Sequence, residues 1–195
     1  MPGGRFPLEH LVLASASPRR AEILRAVNWS FETSPAEIDE SLGDEEAPAA
    51  YVERLARAKA TKIAEERLFG LVLGADTTVV SAGGRILGKP RDAEDAEQML
   101  RALSGNWHDV LTGVALVRAE TKECRVAHER TRVRFAELSD EEIAWYVTTE
   151  EPMDKAGAYA VQGRAALFIE AIEGDYWNVV GLPVRLVYRL ALGNW

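Results

Sequence analysis

Apolar and polar residues follow two periods along this chain, and together they predict a mixed α/β protein. Short apolar runs and strict alternation indicate strands, whereas longer amphipathic stretches indicate helices. The predicted strands are residues 11–14, 71–80, 110–116, 123–136, 165–172 and 176–180. The predicted helices are residues 18–25, 47–68, 92–103, 139–147 and a last one that begins at Pro183. Strands and helices interleave and hairpin turns are frequent, so we expect a mixed sheet flanked by helices.

Capping signals and turn residues set the boundaries of several of these elements. Asp92 suits an N-cap, and Ser139 with Glu142 forms a capping box at the start of the next helix. The glycines in residues 82–85 predict a hairpin turn. Residues 173–175 (Glu-Gly-Asp) predict a second turn, between the strands at 165–172 and 176–180.

The length and composition fit one soluble globular domain that spans residues 1–195. Of the 195 residues, 47% are hydrophobic and 28% are charged. No run of 18 apolar residues could cross a membrane, and the first residues lack the apolar core of a signal peptide. The one cysteine, Cys124, excludes an internal disulfide framework and fits a reducing cytoplasm. We therefore expect a cytoplasmic protein.

The net charge of −8 argues against a nucleic-acid polymer as the main partner, because no overall positive field would attract one. A small anionic ligand would need a local basic cluster. Arg130, Arg132 and Arg134 alternate along a predicted strand and so share one face. We favour a solvated sheet face for this stripe.

Residues 15–20 (Ser-Ala-Ser-Pro-Arg-Arg) connect the first predicted strand to the first helix. Ser17 suits the N-cap and Pro18 suits the first helical position. Arg19 and Arg20 are unfavourable in a first turn, because the positive end of the helix dipole already lies there. With the Ser15 and Ser17 hydroxyls and free N–H groups, they would form a phosphate site. A solvated arginine pair explains the pattern equally well.

Lys59 and Asp76 interrupt apolar patterns. Lys59 lies in the apolar stripe of the helix at residues 47–68, where it either extends its stem to solvent or reaches an anion in a cleft. Asp76 follows a buried strand, so its carboxylate must be paired, bound to a metal or hydrogen-bonded. Active sites of open α/β sheets lie at such strand ends, and we favour a functional role over a turn cap.

Several loop residues add candidate chemistry. Residues 38–41 (Ile-Asp-Glu-Ser), which we call the acidic loop, place Glu40 where it could join Asp76 as an oxygen ligand of Mg²⁺ or Mn²⁺. Lys89 and Gln162 lie in glycine-containing loops, and Gln162 either contacts a base edge or closes a turn. The sequence contains no P-loop, dinucleotide fingerprint, zinc-ligand spacing or serine-nucleophile elbow.

These segments together resemble the Maf family of nucleoside triphosphate pyrophosphatases, over residues 11–192. The matching segments are residues 15–20 (SASPRR), 38–40 (IDE), Lys59, 74–77 (GADT), 88–90 (GKP), 103–105 (LSG), 112–114 (TGV), 154–159 (DKAGAY), 162–163 (QG) and 178–183 (NVVGLP). Their order and spacing are specific, although each segment alone is weak. The resemblance implies a strongly curved mixed sheet in two lobes with a central cleft, like the inosine triphosphatase fold. It also implies a divalent metal, Mg²⁺ or Mn²⁺, and a homodimer.

Within the family the chain looks like the branch that acts on dTTP and UTP. The branch that acts on 7-methyl-GTP tends to carry Trp between Pro18 and the arginines, Ser-Asp-Gln in place of residues 75–77, and His-Cys-Ala-Gly in place of residues 154–157, none of which is present. The resemblance implies that Arg19, Thr77 and Gln162 set base choice and that Asp76 is the catalytic carboxylate.

The mechanism expected on this basis is hydrolysis of the triphosphate at its α-phosphorus. Arg19, Arg20, Lys59 and Lys89 would hold the triphosphate, while Glu40 and Asp76 would hold the metal. Lys59, Lys89, Glu40 and Asp76 are thus the expected catalytic residues. Two alternatives remain: a nucleotide-sensing regulator of cell division that acts through a protein partner, and a pyrophosphatase for modified pyrimidine triphosphates.

Overall fold

The fold is a mixed seven-stranded sheet with helices around it, seen in a computed structural model that describes residues 10–193. The strands are β1 (Leu11–Leu13), β2 (Phe31–Thr33), β3 (Leu71–Val80), β4 (Ile86–Leu87), β5 (Trp107–Arg118), β6 (Cys124–Phe135) and β7 (Ile169–Glu173). Their order is β2-β1-β3-β5-β6-β7, and β4 pairs with β3. β1 runs parallel to β2 and β3, whereas β4 and β7 run antiparallel to β3 and β6. The predicted mixed sheet is confirmed.

Residues 10–193 also contain six α-helices and three short 3₁₀ helices. The α-helices are α1 (Pro18–Ala26), α2 (Pro48–Glu65), α3 (Ala93–Leu103), α4 (Asp140–Thr148), α5 (Tyr176–Val180) and α6 (Val184–Leu192). The 3₁₀ helices are Glu151–Asp154, Ala156–Ala158 and Arg164–Phe168. None of the helices in residues 10–193 is long and apolar enough to cross a membrane.

The chain divides into two compact units, each made of separate chain segments. In the described chain the first unit contains residues 10–76, 112–129 and 181–193, and the second contains residues 77–111 and 130–180. The expected single domain over 1–195 and its central cleft stay predictions. Residues 1–9 and 194–195 of that span lie outside the described residues.

Small residues form the core of the first unit where α2 crosses the sheet. A Cβ at Gly74 of β3 would lie 2.1 Å from the Ala56 carbonyl oxygen, and a Cβ at Gly113 of β5 would lie 2.2 Å from that of Val52. Only glycine permits this approach of helix backbone to strand backbone. The buried cluster around it is Val12, Ala14, Ala56, Ala60, Ile63, Ala64, Val72, Ala115 and Val117.

Aromatic rings fill the core of the second unit. The His108 ring lies 5.1 Å from Phe135 and 5.4 Å from Tyr159, both edge-to-face. His108 Nε2 and the Tyr159 hydroxyl are 2.9 Å apart in a buried hydrogen bond. Phe168 continues the cluster, with Tyr146 at 5.4 Å.

Most predicted boundaries are confirmed. Asp92 accepts the Asp95 N–H at 2.8 Å as the cap of α3, and Ser139 and Glu142 form both bonds of the capping box of α4. The hairpin at 82–85 joins the antiparallel pair β3 and β4, and Pro183 lies at the N-cap of α6.

Two predictions near the carboxyl end are wrong. Residues 176–180 form helix α5, and residues 165–168 belong to a 3₁₀ helix that precedes β7. The Asp175 carboxylate accepts the Trp177 N–H at 2.8 Å, which begins a helical turn. Asn178 donates to the Val110 carbonyl and to Thr131 Oγ1, so its amide faces the core of the second unit. Because residues 176–180 are helical, the turn after β7 leads into α5 and does not join two strands.

The arginine stripe of β6 lies on a solvated sheet face, as predicted. Each arginine pairs with a carboxylate of the second unit: Arg130 with Asp109 at 2.7 Å, Arg132 with Glu173 at 2.9 Å and Arg134 with Glu170 at 3.3 Å. The side chains of all three arginines are substantially exposed. The local positive charge of the stripe is therefore balanced by its neighbours.

Candidate active site

Ser15 organises the turn between β1 and α1. Its buried hydroxyl accepts the Ser17 N–H at 3.2 Å and Arg20 Nη1 at 3.1 Å. Ser17 occupies the N-cap of α1 and Pro18 its first position, as predicted, but the Ser17 side chain makes no cap hydrogen bond. Ser15 therefore holds Arg20 in place. The N-cap of α1 has no side-chain acceptor.

Arg20 is held from a second side as well. Its Nε donates to the Gly181 carbonyl at 3.0 Å. Burial lowers the pKa of the Arg20 guanidinium, and the negative charge of Asp76 opposes that shift most strongly. The guanidinium stays protonated because its ordinary pKa is far above neutral. A fixed positive charge thus lies within the electrostatic range of Asp76.

The Lys59 ammonium joins the two predicted metal-binding carboxylates. Lys59 Nζ lies 2.7 Å from Asp76 Oδ1 and 2.6 Å from Glu40 Oε1. The Lys59 and Asp76 side chains are only 9% and 12% exposed, whereas that of Glu40 is 54% exposed. Lys59 does not extend to solvent but pairs with two carboxylates of the chain itself, so its contact with a ligand anion stays a prediction. A buried charge pair of this kind needs such geometry to offset its desolvation.

Small residues bring Lys59 to Asp76. Gly74 and Asp76 are two residues apart in β3 and so point to the same face of the sheet. Ala56 and Ala60 of α2 lie directly on Gly74, and Lys59 is the residue before Ala60. The close approach of helix and strand therefore determines where the ammonium meets the carboxylate.

The remaining predicted residues lie on both units. Arg19 is half-buried in the first turn of α1, in the first unit. Thr77, Lys89 and Gln162 belong to the second unit, where Thr77 is half-buried and the other two are exposed. The loop that carries Lys89 is held by a bond of 3.0 Å from the Gly157 N–H to the Gly88 carbonyl. The structure thus brings Ser15, Ser17 and Arg20 together, and separately Glu40, Lys59 and Asp76.

Sequence reasoning missed two residues of α2 that hold the acidic loop. The Tyr51 hydroxyl donates to the Glu40 carbonyl at 2.9 Å, and Arg54 Nη2 donates to the Ser41 carbonyl at 2.9 Å. Their one signal in the sequence is a spacing of three residues, which places both on one face of the helix. Burial raises the pKa of Tyr51, and the charges of Asp76 and Glu40 raise it further.

Two carboxylates suit a divalent cation that keeps some of its water. Mg²⁺ is commonly bound by one or two carboxylates together with water and substrate phosphate oxygens. Glu40 and Asp76, which meet at one ammonium, provide that donor set. In residues 10–193 no group of three or more His, Cys, Asp or Glu side chains is arranged to hold a metal. Glu40 and Asp76 could thus supply two of the oxygen ligands of such a cation.

Comparisons with known proteins place this chain in a family. The family model described as "Maf-like protein" matches residues 10–192. The dTTP/UTP pyrophosphatase of Symbiobacterium thermophilum is 56% identical over 183 residues, which cover 94% of this chain and 93% of that protein. The dTTP/UTP pyrophosphatase of Hahella chejuensis is 56% identical over 177 residues, which cover 89% of this chain and 87% of that protein.

A solved structure confirms the predicted inosine triphosphatase-like fold. The Staphylococcus aureus Ham1 protein superposes with a TM-score of 0.54 at 12% identity, over 93% of this chain and 97% of that one. At this identity the likeness concerns the fold alone. The family model and the two relatives of 56% identity match the sequence itself, so they show the family as well as the fold. From these matches over nearly all of its length, the chain belongs to the Maf family.

Proposed function

We propose that this protein hydrolyses dTTP and UTP to the monophosphate and pyrophosphate, and so clears these nucleotides from the pool. The observation that carries the proposal is the buried Lys59 ammonium bound to both Asp76 and Glu40. Relatives of 56% identity that are named dTTP/UTP pyrophosphatases support the choice of substrate.

In the proposed reaction the protein mainly positions reactants and neutralises charge. Arg19, Arg20, Lys59 and Lys89 bind the triphosphate oxygens, since transfer of this kind depends on charge stabilisation. Asp76 takes a proton from the attacking water as the water oxygen bonds to the α-phosphorus. The bond from that phosphorus to the bridging oxygen then breaks, and pyrophosphate leaves with the bond electrons.

Glu40 and Asp76 would hold a divalent cation, Mg²⁺ or Mn²⁺, together with phosphate oxygens. When bound, the cation offsets negative charge on the phosphates. Lys59 lies between the two carboxylates and orients both, so that the Asp76 oxygen can face the water. Ser15 fixes Arg20, and the Ser17 hydroxyl, which is not used to cap α1, is available to a phosphate oxygen.

Arg19, Thr77 and Gln162 set base choice in this proposal. Thr77 and Gln162 can each donate and accept hydrogen bonds, as recognition of a pyrimidine edge requires. A site that hydrogen-bonds its substrate rejects analogues that leave its polar groups unpaired. Modified pyrimidine triphosphates that keep the same edge would also be substrates.

Three further features belong to the proposal. The protein acts as a homodimer, it works in the cytoplasm, and its only partner besides itself is the small-molecule nucleotide. A separate role in cell division stays a prediction. That role is tested by overproducing a variant that cannot hydrolyse nucleotide, because arrest of division by this variant would indicate regulation independent of turnover.

The test of the proposed function is pyrophosphate release over a panel of nucleotides. Purified protein with Mg²⁺ or Mn²⁺ is assayed against dTTP, UTP, CTP, dGTP, ATP, ITP and 7-methyl-GTP. Release confined to dTTP and UTP is the expected result. Preference for 7-methyl-GTP would refute the roles given to Arg19, Thr77 and Gln162, and no release from any nucleotide would refute the enzyme.

A further inference from the structure

The acidic loop is fastened to α2 through two consecutive backbone carbonyls. Tyr51 binds the carbonyl of Glu40 and Arg54 binds that of Ser41, each at 2.9 Å. The Arg54 guanidinium also lies 5.5 Å from the centre of the Tyr51 ring. One face of the helix therefore holds the two peptide units on either side of Ser41.

A carboxylate keeps Arg54 in this position. Glu46 accepts both Arg54 Nε and Arg54 Nη2 at 2.8 Å, and its Oε2 also accepts the Gly43 N–H at 3.1 Å. A bidentate pair fixes the plane of the guanidinium as well as its position. Hydrogen bonding by Arg54 lowers the pKa of Glu46 to about 2, so this partner stays ionised at neutral pH.

The same helix carries Lys59, which binds the Glu40 side chain. The Glu40 side chain is 54% exposed, so solvent weakens its ion pair with Lys59, and the Tyr51 and Arg54 bonds, which are exposed as well, add to the hold on the loop. The bonds from Tyr51 and Arg54 act on the backbone instead. Helix α2 therefore holds Glu40 at its carbonyl and at its carboxylate.

We propose that Tyr51 and Arg54 are positioning residues that keep the Glu40 carboxylate beside Lys59 and Asp76 during nucleotide hydrolysis. The inference rests on the proposed function, in which Glu40 binds the cation and the phosphates. Neither residue touches the reacting atoms in that account. Their effect on turnover passes entirely through Glu40.

The test is Tyr51→Phe, which removes the bond to the Glu40 carbonyl and keeps the ring on Arg54. We expect kcat for dTTP to fall about fivefold, the factor that corresponds to the ~1 kcal/mol of a typical neutral hydrogen bond. The KM should stay near that of the wild type, and the Tm should fall by no more than the roughly 2–4 °C that 1 kcal/mol costs a chain of this size. Tyr176→Phe is the matched control, because Tyr176 is exposed and its ring contacts Trp177 in the second unit. This control should leave kcat unchanged.

A double-mutant cycle separates positioning from a general structural role. In a Glu40→Gln background, measured with enzyme in excess over nucleotide, Tyr51→Phe should have little further effect, because the carboxylate that its bond to the backbone positions is gone. Arg54→Lys keeps the charge but cannot hold Glu46 in a bidentate pair and Ser41 together, so it should lower kcat at least as much as Tyr51→Phe.

Two results would overturn the inference: an unchanged kcat in Tyr51→Phe, or the same loss in the Glu40→Gln background as in the wild type. A wild-type protein that releases no pyrophosphate from dTTP would instead refute the proposed function. The two failures are therefore distinguishable in one set of assays.

Discussion

Gly74 is the residue at which packing and catalysis are most directly linked. It has no side chain where α2 crosses β3, and a Cβ there would lie 2.1 Å from the Ala56 carbonyl oxygen and 2.8 Å from the Ala60 nitrogen. Both atoms are backbone, so neither can move aside by a change of rotamer. Gly74→Ala must therefore displace the helix from the strand by roughly 1 Å to reach an ordinary contact.

The displacement should reduce both stability and activity. Overpacking of a tight core costs about 1–3 kcal/mol of unfolding free energy. For a chain of this size, a loss of about 2 kcal/mol corresponds to a fall in Tm of roughly 4–8 °C. Lys59 moves with α2, away from the 2.7 Å contact with Asp76. Since a misplacement of about 1 Å in an active site can cost around 100-fold, kcat should fall by that order.

The assay combines thermal unfolding with pyrophosphate release from dTTP, measured well below the Tm of the variant. Gly83→Ala is the matched control, because a Cβ at Gly83 would meet only Ser81 Oγ, at 4.0 Å. This control should keep the wild-type Tm and kcat. If Gly74→Ala kept the wild-type Tm and turned over dTTP within twofold of the wild type, close packing at Gly74 would not determine the position of Lys59.

Two further predictions concern stability. Burial lowers the pKa of His108 to about 4 from an ordinary value near 6.5, so the unfolded chain takes up this proton first as the pH falls. Neutral His108 therefore contributes its full stabilisation above about pH 6.5, and this contribution is lost as the pH falls towards 4. Between pH 7 and pH 5, the free energy of unfolding measured with urea should fall by about 2 kcal/mol more in the wild type than in His108→Gln. An equal loss in both proteins would contradict this. Ser139→Ala should cost about 1 kcal/mol and lower the Tm by roughly 2–4 °C, because it removes the acceptor for the Glu142 N–H; an unchanged Tm would show that the cap is not needed.

Local signals in the sequence predicted the fold well where one residue acts on its near neighbours. The caps at Asp92 and Ser139 work over three residues, and the alternation at residues 110–116 lies within β5. The prediction failed at residues 176–180, because five residues, four of them apolar, are too few to show a period. It also missed β2, whose three residues lie at a sheet edge and are mostly exposed.

The site could be predicted in part, because some of its residues conflict with their local pattern. Lys59 in an apolar stripe and Asp76 in a buried strand both stand out, and the structure pairs them. Tyr51 and Arg54 do not stand out, because both are ordinary residues for the partly exposed face of a helix. Their partners are backbone carbonyls 11 and 13 residues earlier in the chain, and any residue type supplies a carbonyl. Only the folded chain shows such contacts.

If Asp76 is the base in hydrolysis of dTTP and UTP, its replacement by asparagine should impair turnover and spare nucleotide binding. Pyrophosphate release from dTTP and nucleotide binding are measured for the wild type and for Asp76→Asn, which keeps the shape of the side chain and removes its charge. We expect kcat to fall by about 100-fold or more, while the affinity for dTTP changes far less. Near-normal turnover in Asp76→Asn would contradict this role of Asp76.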